Sequence, residues 1–125
     1  MELAAFFRSV LEQDTASVVL CDLDHTIVYM NPAAIRSYEA YGGADLLGKN
    51  LLACHNPESA ERIEQVLDWF RADVRHNRVF TAHRPAKNRD QYMIALRSGD
   101  GTLIGYYEKH EYRTPEQSLP YDLHD

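Results

Sequence analysis

The stretch from Val79 to Tyr112 admits few folds. Val79–Arg84, Gln91–Arg97 and Leu103–Tyr112 carry the two-residue period and the β-branched and aromatic content of strands. Their connectors, Pro85–Asp90 and Ser98-Gly99-Asp100-Gly101, are short and rich in turn residues. Connectors this short force neighbouring strands to run antiparallel, because a parallel pair needs a crossover of about a dozen residues or more. The C-terminal half is therefore read as an antiparallel meander, which excludes an all-helical or doubly wound architecture.

Upstream, two further strands, Val18–Asp22 and Thr26–Met30, flank the tip Asp22-Leu23-Asp24-His25-Thr26. Asn31-Pro32 and Asn56-Pro57 each combine an N-cap residue with Pro at the first helical position, so a helix is expected after each. The first presents Ile35 and Tyr38 inward and stops at Gly42-Gly43. The second is the longest helix, with Ile63, Val66, Leu67, Phe70 and Val74 on one face and Trp69 at the margin of that stripe. Residues 2–13 form an amphipathic helix through Leu3, Phe6, Phe7, Val10 and Leu11. Residues 1–13 are thus an N-terminal amphipathic helix, 14–113 one domain, and 114–125 a flexible tail or docking strap with two prolines and no apolar period.

Composition narrows the function. The 125 residues fit one domain and leave no room for a second, catalytic one. Thirteen Lys and Arg against nineteen Asp and Glu give a formal charge of −6 with no basic stripe, so nucleic acid is not expected as a partner. Cys21 and Cys54 form no CxxC pair, no apolar run reaches the ~20 residues of a membrane span, and the N-terminus lacks a signal-peptide pattern. A cytoplasmic protein that neither enters a membrane nor carries disulfides is expected.

An apolar strand ending in Asp22-Leu23-Asp24-His25-Thr26 resembles the first motif of haloacid dehalogenase-type phosphatases, in which Asp22 and Asp24 would be the nucleophile and the proton carrier. That family also needs later strands bearing a Ser or Thr, a Lys and a magnesium-binding acidic pair, all on a parallel sheet. The short downstream connectors leave no such crossovers, so the segment is read as a hairpin tip. No enzymatic activity is expected.

The order of elements and the local motifs resemble a PAS domain. Val19–Asn31, VLCDLDHTIVYMN, followed by Pro-Ala-Ala, is similar to the PAS opening, where an Asp closing the first strand faces the Asn that caps the next helix. Leu46-Leu47-Gly48-Lys49-Asn50 resembles the segment after the first PAS helix, and Asp100-Gly101 with Ile104-Gly105 resembles the last hairpin and final strand. Cys54-His55-Asn56-Pro57-Glu58-Ser59 is similar to the Cys-His-Pro-Pro-x-Ser segment of the PAS module that accompanies hemerythrin-like domains in some bacterial proteins of unassigned function, with Asn56 in place of Pro. The resemblance implies an α+β fold: a five-stranded antiparallel sheet with helices on one face and the N-terminal helix against the other. It implies a sensor in signal transduction that binds a small ligand, a protein partner or both.

By strand alternation and that analogy, a cavity beneath the helices is expected to be lined by Cys21, Ile35, Tyr38, Cys54, His55, Ile63, Leu67, His83, Met93, Gly105 and Tyr107. Gly105 would make room for a ligand and Tyr107 would offer its hydroxyl. The plainer readings stand beside these: a core cysteine, a satisfied histidine, a Gly tolerated for close packing, a Tyr with its tip in water. The cofactor is unassigned, haem on His55 or His83 or a small organic ligand; no recognised metal-ligand spacing is present. His25, in a left-handed conformation, and His76, His110 and His124 read as surface or turn residues. Tyr106 and Tyr112, on the face opposite Gly105, require cover from the N-terminal helix of this chain or of a second copy. A homodimer through that helix and the outer sheet face is expected, or a pure interaction module, with any output passed to a separate effector.

Overall fold

Both Asn-Pro signals start helices as expected. In the computed structural model, which describes residues 2–123, helix α2 runs Pro32–Ser37 with the Asn31 side chain accepting from Ala34 N, and helix α3 runs Pro57–Ala72 with Asn56 accepting from Ser59 N. Helix α1 spans Leu3–Gln13. Between α2 and α3 lie three single-turn 3₁₀ segments, Glu39–Tyr41, Gly43–Leu46 and Leu51–Cys54. The strands are β1 (Val18–Asp22), β2 (Ile27–Met30), β3 (Arg78–Arg84), β4 (Arg89–Arg97) and β5 (Leu103–Tyr112).

The five strands form one antiparallel sheet in the order β2-β1-β5-β4-β3. The last strand is central, pairing β1 on one side and β4 on the other, so it closes the two hairpins into one sheet. Helices α2 and α3 and the 3₁₀ turns cover one face. Ile63, Leu67 and Phe70 of α3 are buried in the same cluster as Val19, Cys21, Ile27, Met93 and Tyr106 from the sheet. Arg97 locks the end of α3: its guanidinium donates to the carbonyls of Phe70, Asp73, His76 and Gly101 and to Asn77 Oδ1, giving the helix's last carbonyls a cationic partner.

Bulges decide which side chains face inward. On β5, Leu96 pairs with Gly105 but Arg97 with Leu103, so Ile104 is an extra residue, and Leu103 and Tyr106 both point to the helices. Alternation counted from Leu103 alone puts Gly105 and Tyr107 inside. The extra residue reverses this, so Tyr106, Glu108 and His110 face inward and Gly105, Tyr107 and Lys109 outward. A second bulge on β3, between Phe80 and Ala82, does the same there: Ala82 and Arg84 face inward and His83 outward.

Asp22 and Asn31 do not meet. Asp22 Oδ1 accepts from Asp24 N and Thr26 N at the hairpin tip, and Asn31 lies at the other end of the strand pair. There Asn31 Oδ1 accepts from Val18 N as well as Ala34 N, while Nδ2 donates to the carbonyls of Leu11 and Ala16. One buried side chain thus joins α1, β1 and α2. The expected covering of the outer face by this chain's own α1 does not occur: no α1 residue is buried, and Leu3, Phe6, Phe7 and Val10 are each more than half exposed.

Candidate functional site

The inner face of the sheet changes character along β5. Its first cross-strand row, Cys21, Tyr106 and Ala95, is closed over by Leu67 and Phe70. The second is Val19, Glu108, Met93 and Val79; the third His110, Gln91 and Ala82; the fourth brings Arg89 beside Arg84. From the second row outward the helices stand clear of the sheet and leave a cavity of about 790 Å³ that opens to solvent. Its roof is built by Tyr38, Leu46, Leu51, Cys54, His55, Arg62, Ile63 and Val66. A volume of this size suits a small molecule.

The closed row is internally satisfied. The Tyr106 hydroxyl lies 2.7 Å from His25 Nδ1 and also bonds the Cys21 thiol, and His25 Nε2 lies 2.5 Å from Glu64 Oε1 on α3. His25 is indeed left-handed, with φ +65°, but it is buried and not a surface residue, because the hairpin tip folds in beneath α3. Burial pushes the Cys21 thiol up to about 12, so at neutral pH it is a protonated core thiol and not a thiolate nucleophile.

The open rows are not satisfied. Four buried side-chain polar atoms lack a partner among the described residues, and two of them, His110 Nδ1 and Arg89 Nε, belong to residues that line the cavity. His110 is only 4% exposed, and burial, then the charges of Arg89, Arg84 and Lys87, bring its imidazole down to about 4. Glu108 is raised by burial and lowered by His55. The His55 ring is fixed by Nδ1 against the Leu51 carbonyl at 2.9 Å; a carbonyl only accepts, so the proton sits on Nδ1.

Of the residues expected around the cavity, Tyr38, Cys54, His55, Ile63 and Met93 line it. Cys21 and Leu67 lie in the closed core beside it, and Ile35 packs against that core. Three expectations are corrected. His83 points outward and pairs with Asp90 at 2.6 Å. Tyr107 lies half-buried on the outer face between Leu20 and Ile94. Gly105 makes no room for a ligand; a Cβ there would collide with the Cys21 carbonyl oxygen, so the glycine serves the close approach of β5 to β1. Sequence reasoning missed Glu108, His110 and Arg89, and placed His110 at the surface. Their only signal was a carboxylate and a histidine two residues apart on a strand, legible once the Ile104 bulge is known. His76 stacks on Trp69 at 3.9 Å, outside the cavity, Trp69 being partly exposed as expected; Tyr112 is exposed, and His124 lies outside the described residues. No cluster of three metal-binding side chains occurs among the described residues.

The family model for the PAS domain matches residues 15–108, three quarters of the chain. The chain belongs to the PAS family. PAS domains are sensory and signalling modules, and the solved structures it is similar to agree with the fold. A C-terminal domain from Streptococcus mutans superimposes with a TM-score of 0.69 at 18% identity, covering 87% of this chain and 84% of that one. A PAS domain from Colwellia psychrerythraea gives 0.66 at 12% identity, covering 89% and 97%. The Aer2 receptor of Vibrio cholerae, a dual PAS-heme oxygen sensor, gives 0.58 at 19% identity, covering 79% and 95%. At these identities the likeness carries the fold alone. No curated protein matches, so the hemerythrin-associated subtype stands on the Cys54–Ser59 resemblance only. No helix among the described residues is long and apolar enough to cross a membrane.

Proposed function

We propose that this PAS domain is a cytoplasmic sensor that holds a small polar molecule in the cavity between the sheet and α3, without catalysis of its own. One observation carries the reading: the cavity is lined by His110 and Arg89, whose Nδ1 and Nε have no partner among the described residues. An unpaired buried polar group costs roughly 1–3 kcal/mol, and a ligand that pairs with it recovers that cost. Occupancy would act on α3 and α2, which form the roof, and pass to α1 through Asn31. The apolar side chains of α1, together with Phe80, Ile94, Leu96 and Tyr107 on the outer face, then offer a surface to a second copy or a separate effector.

The native mass spectrum of freshly purified protein tests this directly. A small adduct released on denaturation is expected; the bare chain mass, together with no thermal response to ligands of any charge, would sink the reading. Haem is the competing ligand, favoured by His55, whose Nδ1–H on the Leu51 carbonyl leaves Nε2 free to bind iron. Against it stand the charged walls: Glu108, Arg62, Arg84, Lys87 and Arg89 all line the cavity. A Soret band in the absorbance spectrum would decide for haem. Sedimentation should show a dimer that Phe6→Ser with Phe7→Ser converts to monomer; a parent that stays monomeric at high micromolar concentration removes the dimer.

A further inference from the structure

The cavity lining is chemically lopsided. Arg62, Arg84, Lys87 and Arg89 line the cavity with one carboxylate, Glu108; Arg62 is paired with Glu58 on α3, and the other three cations gather at the outermost row, so the field there draws in anions. Arg89 and His110 line that space, and the Arg89 Nε–H and the His110 Nδ1 have no partner among the described residues. As a neutral imidazole, His110 can place its single proton on Nδ1. Two such donors from neighbouring strands match the two oxygens of a carboxylate; a phosphate would ask for more. An anion placed there meets Glu108 two residues further in on β5, at a spacing of about 7 Å. A ligand that ended in a plain carbon or a second carboxylate at that point would leave Glu108 unpaired or repelled.

Resting on the reading of this cavity as a ligand site, we propose that its ligand is a small carboxylate that also carries a hydroxyl or amino group, the carboxylate taken by Arg89 and His110 and the donor by Glu108. The apolar part of such a molecule lies against Val19, Met93 and Ile63, which line the same space. Glu108 is then the selectivity element: it rejects simple di-acids and accepts hydroxy and amino acids. Near it lie His55 from the turn before α3 and Tyr38 just after α2, and no second carboxylate lines the cavity.

The test uses the full chain, stripped of any adduct, with titration calorimetry and thermal unfolding against defined probes. L-malate and glycolate carry carboxylate plus hydroxyl, L-aspartate and L-serine carboxylate plus amine, succinate and acetate carboxylate alone; glycerol and ethanolamine carry donors without an anion, and inorganic phosphate is the rival anion. The hydroxy or the amino acids should bind about tenfold or more tighter than succinate and acetate, a difference of about 1.4 kcal/mol. Which of the two pairs binds names the donor. Glu108→Gln should abolish that tenfold preference, and Arg89→Gln should weaken every carboxylate by a similar factor. Circular dichroism of both variants confirms that they are folded. Where a variant is unfolded, the parent's ranking of probes decides alone. Equal response to glycerol or ethanolamine, or tighter binding of phosphate, overturns the ligand class and leaves the cavity reading standing. Silence to every probe in a protein that purifies without an adduct overturns both.

Discussion

The two ends of the inner sheet face are made from the same strands and behave oppositely. At the Tyr106 end the polar atoms answer one another: Glu64, His25, Tyr106 and Cys21 form a chain from α3 through the hairpin tip to β5 and β1. At the His110 end, about 13 Å further along the strand, two residues that line a cavity each carry a buried polar atom with no partner among the described residues. The difference separates stability from function. A satisfied network rigidifies the fold, whereas unsatisfied donors at an opening are tolerable only where something else supplies the acceptor.

This contrast can be broken by substitution. Tyr106→Ala, at the satisfied end, should cost about 3–5 kcal/mol in urea unfolding, since it empties a fully buried aromatic site and orphans both His25 and Cys21. A loss below about 1 kcal/mol would show that the two ends are equivalent. The next largest effect is of pH. Folded His110 titrates at about 4 against an ordinary 6.5, so the contribution of the neutral ring is whole above 6.5 and is lost as pH falls from 6.5 through 4, by up to about 3 kcal/mol. Glu108 runs the other way: its raised folded value makes its contribution present at acid pH and lost as pH rises through that value. Unfolding of His110→Asn followed from pH 7 to pH 4 should therefore show a smaller acid loss than the parent; parallel profiles would refute the assignment.

His25→Ala should destabilise by about 2 kcal/mol, through loss of the bonds to Tyr106 and Glu64 and through the left-handed backbone that Ala tolerates less well. Equal stability of His25→Ala and the parent would mean that the closed end is held by apolar packing alone. Smallest of all, Arg89→Gln should leave ligand-free stability within about 0.5 kcal/mol of the parent, because its Nε stabilises no protein partner. A large loss there would place Arg89 on the structural side of the divide.

Legibility followed the same divide. The caps at Asn31 and Asn56, the strand spans and the antiparallel meander were readable because they depend on neighbours in the sequence, and β1 and β5 fall on Val18–Asp22 and Leu103–Tyr112 as expected. The facing of side chains beyond a bulge was not readable. Ile104 and the irregularity at Thr81 are each one residue of excess, set by pairing with a distant strand, and no local pattern announces them. The misplaced facings on β3 and β5 follow from these two places, while Arg89 was missed because β4 begins two residues earlier than expected. His83, Gly105 and Tyr107 were drawn inward by unbroken alternation, while Glu108 and His110 were turned out. His25 was lost for a different reason: its burial depends on a helix that begins more than thirty residues later.

The attachment of α1 has a mechanical consequence. The helix is tied near its C-terminal end, where the Leu11 carbonyl meets Asn31 and Arg8 lies over the Tyr29 ring, while Leu3, Phe6 and Phe7 project into solvent. Eleven residues at about 1.5 Å each make a rod of about 16 Å. Pivoting on Asn31, which also grips β1 and α2, that rod would work as a lever: a tilt of about 10° at the Leu11 pin carries Phe6 about 1 Å and Leu3 about 2 Å. Any shift of α2 would thereby reach the exposed apolar end of α1, where another molecule can meet it.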